Sequence, residues 1–202
     1  MNVWKRTFDV VAAGLGFVLA SPLLVLAALV IKLEDRGPVL YRQQRVGKDG
    51  ADFELLKLRT MVVGAEHMGA GFAIDHGDSR ITSAGRILRR LSIDELPQLW
   101  NVLRGDMSIV GPRPTLRYQV DNYTPHQHRR LDVKPGLTGW AQVNGRAELP
   151  WAERIELDIW YVEHRSTWLD LRILLRTPRS LFRGTYKGQH GGWRHKDTKN
   201  GE

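Results

Sequence analysis

From Val10 to Ile31 the chain carries no charge and is almost wholly apolar (VVAAGLGFVLASPLLVLAALVI). The run is about 22 residues long, matching the roughly 20 that a bilayer-spanning helix requires. Pro22 sits in its middle. It removes a backbone donor and crowds the preceding turn, which makes a straight helix costly there by about 3 kcal/mol. Each half alone, about 11 residues or roughly 16 Å, cannot cross a hydrocarbon core of about 30 Å. Lys5 and Arg6 precede the run, and Lys32 and Arg36 follow it. Positive charge marks the cytoplasmic side of a membrane segment, so both ends favour that side. The pattern predicts a re-entrant helix-break-helix that dips into one leaflet, breaks at Ser21-Pro22 and returns, with Ser21 bonding a carbonyl that the proline frees. Two other readings stand beside it. One is a kinked helix that truly spans. The other is a cleaved signal peptide, which fits poorly because Leu23–Leu26 carry the apolar run past any small-residue cleavage site.

Beyond Arg36-Gly37-Pro38 the pattern shortens. Residues 39–43 and 52–59 alternate as two strands around Gly47-Lys48-Asp49-Gly50. Residues 64–83 are polar and irregular. Residues 83–91 predict a short basic helix, and 92–105 a second helix stopped by Gly105. Ser92 with Glu95 fits a capping box, although Pro97 sits more easily if Asp94 is the cap; either way the Asp-Glu pair lies on the first turn. Residues 115–131 read as helical and 135–146 as a glycine-punctuated loop with a brief extended part. Two amphipathic helices, about 150–165 and 168–182, close the domain. The second alternates large apolar groups with arginines, which suits a membrane interface and core packing equally. The expected organisation is a mixed α/β fold: an anchor over 1–36, a small catalytic domain with surface amphipathic helices and a short sheet over 37–182, and a flexible basic tail over 183–202.

A net charge of +8 points to an anionic partner: phospholipid, nucleic acid or a phosphorylated substrate. The absence of cysteine excludes disulfides, thiolate zinc sites and a cysteine nucleophile, and fits a reducing compartment. Seven tryptophans suit a membrane–water interface. Nucleic acid is not the expected partner, because no nucleic-acid fold motif and no array of aromatics on a basic sheet is present.

Arginine and lysine crowd around one acidic pair, Asp94-Glu95. Lys57 and Arg59 precede it, Arg86, Arg89 and Arg90 lie just before it, and Arg104, Arg113 and Arg146 follow. Guanidinium groups bind phosphate oxygens bidentately, and a carboxylate in such surroundings can stay ionised, hold a divalent cation and attack phosphorus. The plainer alternative is that Asp94 and Glu95 cap a helix and pair with surface arginines.

The block from Leu91 to Pro114 (LSIDELPQLWNVLRGDMSIVGPRP) closely resembles the signature of the bacterial sugar transferases, the monotopic phosphoglycosyl transferases. The likeness extends to Lys57–Met61, to Lys134–Arg146 (KPGLTGWAQVNGR) and to the Ser21-Pro22 anchor, covering nearly all of residues 4–178. The resemblance implies transfer of a sugar-1-phosphate from a UDP-sugar to polyprenol (undecaprenyl) phosphate, with release of UMP, at the cytoplasmic face of the bacterial inner membrane. It further implies Asp94 as nucleophile, Glu95 as partner carboxylate, Mg2+ held by Asp94 and Glu95, and Arg89 and Arg113 near the phosphates. Lys57, Arg59 and Arg146 match motif positions for substrate binding. A membrane-tethered, non-catalytic module for anionic lipid or nucleic acid would explain the charge but not why an Asp-Glu pair interrupts the basic stretch. A structural scaffold would show no turnover. The sugar and the downstream pathway are not encoded in these motifs, and a homo-oligomer stays open.

Overall fold

A computed structural model describes residues 3–68, 77–145 and 149–182 of the chain. Arg146, the expected tail 183–202 and the centre of the polar stretch, 69–76, lie outside the described residues.

Helix α1 runs from Val3 to Asp35 with Pro22 inside it, so the expected interruption into two half-helices is not seen. The reason is local. Pro22 has no N–H to give the Val18 carbonyl, and the Ser21 hydroxyl donates to that carbonyl instead, at 2.7 Å, so the acceptor is satisfied without breaking the helix. By length and composition α1 could cross a membrane.

Both ends of α1 are nevertheless stitched to the rest of the chain. Near its start, Arg6 donates to the carbonyls of Val102 and Leu103 at 2.6 and 2.8 Å, and Lys5 pairs with Asp170 at 2.5 Å. The buried Asp9 accepts from the Ser108 hydroxyl and the Ile109 amide, each at 3.0 Å. Near its end, Glu34 accepts from the amides of Ser83 and Ala84 at 2.7 and 3.2 Å, and Asp35 pairs with Arg59. Ala13, Ala27 and Ile31 are buried against the domain, while Leu15, Val18, Leu19, Val25, Leu26 and Leu29 remain uncovered. One face of α1 is thus core and the other is bare hydrocarbon.

Strands β1 (Leu40–Val46) and β2 (Asp52–Leu58) form an antiparallel hairpin in which Tyr41 faces Lys57 and Arg45 faces Phe53. A second pair, β3 (Ser108–Val110) and β4 (Gly136–Thr138), is parallel. With three residues per strand, it has no alternation to read in the sequence. Helix α2 (Ser83–Arg90) falls where the basic helix was expected, and α3 (Gln98–Arg104) stops at Gly105, which is left-handed with φ 96°. The stretch 115–131 is not one helix. It divides into α4 (Arg117–Val120), α5 (Pro125–His128) and a 3-10 turn over Arg129–Asp132, because Pro125 can only start a helix and Thr124 caps it by accepting from the Gln127 amide.

Helices α6 (Trp140–Val143), α7 (Trp151–His164) and α8 (Thr167–Phe182) complete the domain. The core-packing reading of α8 holds for one side of the helix. Leu169 and Ile173, one turn apart, lie in the core, whereas Trp168, Leu171 and Leu175 are exposed. The core itself gathers Leu55, Leu99, Val102, Met107, Val110, Tyr161, Val162 and Ile173 with Ala13 of α1. A smaller cluster joins Ala27 and Ile31 to Leu58 and Leu88. Asn101, fully buried on α3, donates to the Glu54 carbonyl at 2.7 Å and accepts from the Leu56 amide at 3.0 Å. It serves as the missing neighbour along that part of β2, fixing α3 to the hairpin.

Candidate active site

The Asp-Glu pair does not ride on the first turn of an α-helix. It occupies a 3-10 turn, Ile93–Glu95, that leads into α3. Neither expected cap forms: Ser92 is left-handed, with φ 55° and ψ 23°, and its side chain bonds no helix amide. The reason is the short connection to α2, whose last turn ends with the Ser92 amide donating to the Arg89 carbonyl. That leaves no extended residue to serve as a cap.

The two carboxylates differ sharply in their surroundings. Glu95 is clamped. Lys57 of β2 donates to its Oε1 at 3.1 Å, and the Arg113 guanidinium forks onto it, Nη2 to Oε1 at 2.5 Å and Nη1 to Oε2 at 3.4 Å. Burial alone would raise the Glu95 pKa, but Arg113 and Lys57 outweigh it and hold the group well below the usual carboxylate range. Asp94 is buried, and among the described residues it makes no hydrogen bond or ion pair. Burial first, then the neighbouring Glu95 charge, push its pKa up to about 6, against the pull of Lys57, Arg89 and Arg113. One carboxylate is therefore a fixed anion and the other an unclamped, titratable group.

The cations come from five separate elements. Lys57 lies on β2, its pKa lowered by burial despite Glu95. Arg89, in the last turn of α2, donates from Nε to the Thr60 hydroxyl at 2.7 Å. Arg113 sits in the Gly111–Pro114 loop after β3, which is pressed backbone against backbone: a Cβ on Gly136 would lie 2.0 Å from the Gly111 nitrogen. Arg130, buried, holds the same loop by donating to the Arg113 carbonyl at 3.0 Å and to Asp158 of α7 at 2.5 Å. Arg45 of β1 joins the cluster, its pKa lowered to about 10 by burial and then by Arg113.

The structure thus brings Lys57, Arg89, Asp94, Glu95 and Arg113 together. Arg59 it places elsewhere, buried and paired with Asp35 at the end of α1. Arg146 lies outside the described residues. Sequence reasoning missed Arg45, Arg130 and Asp158; the alternation of β1, which puts Tyr41, Gln43 and Arg45 on one face, was the available signal for the first. Asp94 and Glu95 offer hard oxygen donors of the kind magnesium takes, and among the described residues no third His, Asp or Glu joins them. Both Glu95 oxygens already accept from Lys57 and Arg113, so of the expected pair Asp94 is the one whose oxygens fit an ion that completes its shell with substrate phosphates and water.

Asp94, buried and bonded to no cation, thus lies beside a clamped Glu95, with Lys57, Arg89 and Arg113 around the pair. The chain belongs to the bacterial sugar transferase family, whose profile matches residues 1–184. It is 52% identical over 190 residues to the UDP-glucose:undecaprenyl-phosphate glucose-1-phosphate transferase of Caulobacter vibrioides, covering 90% of this chain and 70% of that one. It is 45% identical over 179 residues to EpsL of Bacillus subtilis, described as an uncharacterized sugar transferase, covering 89% and 87%. It is also 45% identical over 186 residues to the UDP-N-acetylgalactosamine-undecaprenyl-phosphate N-acetylgalactosaminephosphotransferase of Aeromonas hydrophila, covering 89% of this chain and 44% of the longer relative.

Proposed function

We propose that the protein transfers a sugar-1-phosphate from a UDP-sugar to undecaprenyl phosphate, giving undecaprenyl-diphosphate-sugar and UMP, as the initiating step of glycoconjugate assembly. The observation that carries this reading is the division of labour at the dyad: Glu95 is held by Lys57 and Arg113 while Asp94 is left free. Relatives named as undecaprenyl-phosphate sugar phosphotransferases support the same acceptor.

In the first step an Asp94 carboxylate oxygen attacks the phosphorus bonded to the sugar. The bond from that phosphorus to the bridging oxygen breaks, UMP leaves with the electron pair, and the phosphosugar stays on Asp94 as an acyl phosphate. In the second step a phosphate oxygen of undecaprenyl phosphate attacks the same phosphorus and restores the Asp94 carboxylate. Donor and acceptor are both polyanions, so their direct encounter is repulsive; Lys57, Arg89 and Arg113 offset that charge in each step. Asp94, the carboxylate that no cation clamps, would hold Mg2+ with Glu95 beside it, and the ion would supply further neutralisation of phosphate charge.

We read α1 as a monotopic anchor, bending at Ser21-Pro22 so that both ends lie on the cytoplasmic side of the inner membrane. The bonds of Lys5, Arg6, Glu34 and Asp35 to a single domain support that topology. Single cysteines at Val3 and Gln44 should label from the same side of the membrane. Labelling of one alone by an impermeant thiol reagent in intact cells would mean a true span. The chemistry is tested by incubating the full-length protein with labelled UDP-sugar and no acceptor. Intact-mass analysis should find a phosphosugar adduct on Asp94; no adduct, with kinetics requiring both substrates bound together, would refute the two-step mechanism.

A further inference from the structure

Tyr41, Gln43 and Arg45 alternate along β1, so their side chains leave one face of the hairpin, the face on which Tyr41 is paired with Lys57. Arg45 reaches from there to the loop that carries Arg113: its Nη1 donates to the Pro114 carbonyl at 3.3 Å. Its Nε and Nη2 both donate to the Gln43 amide oxygen, at 3.1 and 2.5 Å. Every one of these acceptors is neutral. Among the described residues no carboxylate comes within ion-pair distance of Arg45, since Glu95 is already taken by Lys57 and Arg113. A half-buried guanidinium with another guanidinium beside it and no counter-ion destabilises the empty fold. Its depressed pKa reports that same cost. The natural complement is an anion that arrives with the substrate.

We infer that Arg45 binds the nucleoside-side phosphate of the donor, taking a non-bridging oxygen of the group that leaves as nucleoside monophosphate. The inference rests on the transferase reading above. Lys57 and Arg113, held at Glu95 beside the nucleophile, face the phosphate under attack; Arg45, farther along the same face, meets the other. When the bridging bond breaks, its electron pair stays on the nucleoside phosphate, which gains a negative charge. A fixed cation at that oxygen therefore stabilises the transition state more than the bound donor. The Gln43 amide orients the guanidinium for this role without neutralising it.

The test uses the full-length protein in lipid nanodiscs and the variants Arg45→Gln and Arg45→Lys, with UMP as the direct probe. Calorimetric UMP affinity should fall at least about tenfold in Arg45→Gln, with Arg45→Lys intermediate because it keeps the charge and loses the fork. Donor kcat/KM should fall by at least the same factor. Transfer from pre-formed labelled Asp94 to undecaprenyl phosphate should stay within about twofold of wild type, since UMP has already left. The melting temperature of empty Arg45→Gln should be no lower than wild type, because an uncompensated cation has been removed. Unchanged UMP affinity in the variants would overturn the assignment. So would a loss confined to the second half-reaction, which would give Arg45 to the acceptor phosphate. Arg45→Lys supplies the same readouts if Arg45→Gln does not fold. Wild type that neither binds UMP nor releases it from donor would refute the parent reading; active wild type beside unimpaired variants refutes only the role of Arg45.

Discussion

Asp94→Asn separates a nucleophile from a structural cap, because the two roles predict opposite changes in stability. In the metal-free protein the Asp94 pKa stands at about 6 against an ordinary 3.8, raised by burial and then by Glu95. The folded state therefore binds this proton more tightly than the unfolded chain. Its contribution is neutral below about pH 4, grows steadily unfavourable between about pH 4 and 6, and is fully unfavourable above that. About two units at 1.4 kcal/mol each put the cost near 3 kcal/mol at pH 8. Asparagine keeps the shape and cannot ionise. In chelator at pH 8, Asp94→Asn should thus be the more stable protein by about 2–3 kcal/mol, or roughly 5–10 °C in melting temperature for a chain of this size. At pH 4 the two proteins should melt together. UMP release by the variant should be at background at both pH values. A variant that is less stable than wild type at pH 8 would refute the argument, since it would mean that the carboxylate makes a favourable bond and that the turn, rather than the chemistry, requires it.

Three further outcomes follow from the same geometry. Arg113→Lys loses the fork onto Glu95 and should lower turnover at least about tenfold in a UMP-release assay, about 1.4 kcal/mol of transition-state stabilisation; near-wild-type turnover would show that only bulk positive potential matters. Asn101→Leu strands the Leu56 amide and the Glu54 carbonyl on β2 and should cost about 2–4 kcal/mol in urea titration, with turnover falling as Lys57 and the Asp94 turn lose their common support. Asp158→Ala leaves Arg130 buried without its counter-charge and should destabilise by about 3–5 kcal/mol, whereas replacing both by apolar residues of similar volume should recover most of that loss.

Much of the architecture was legible because it rests on short-range regularities. The uncharged run of α1, the basic turn of α2, the stop at Gly105, the periodicities of α7 and α8 and the Asp-Glu pair among arginines are each carried by one short stretch of neighbouring residues. Family resemblance then supplied roles for the pair. What stayed hidden depends on contacts between distant segments. The parallel β3–β4 pair has too few residues to carry a pattern. At Ser21-Pro22 the matter is local: the Ser21 bond to the carbonyl that the proline frees was expected, but a helix left unbroken by it was not.

Arg59 matches a motif as well as Lys57 does, yet the end of α1 brings Asp35 to Arg59, while the hairpin register and the Asn101 brace bring Glu95 to Lys57. The inequality of Asp94 and Glu95, adjacent in the chain and chemically near-identical, likewise comes only from the fold. Electrostatic environment is set by which charges packing brings within a few ångströms, and the sequence alone does not order those distances. Composition and periodicity determined that this chain has a membrane-seeking helix and an acidic pair among cations; tertiary packing decided which carboxylate is clamped, which is free, and which cations face them.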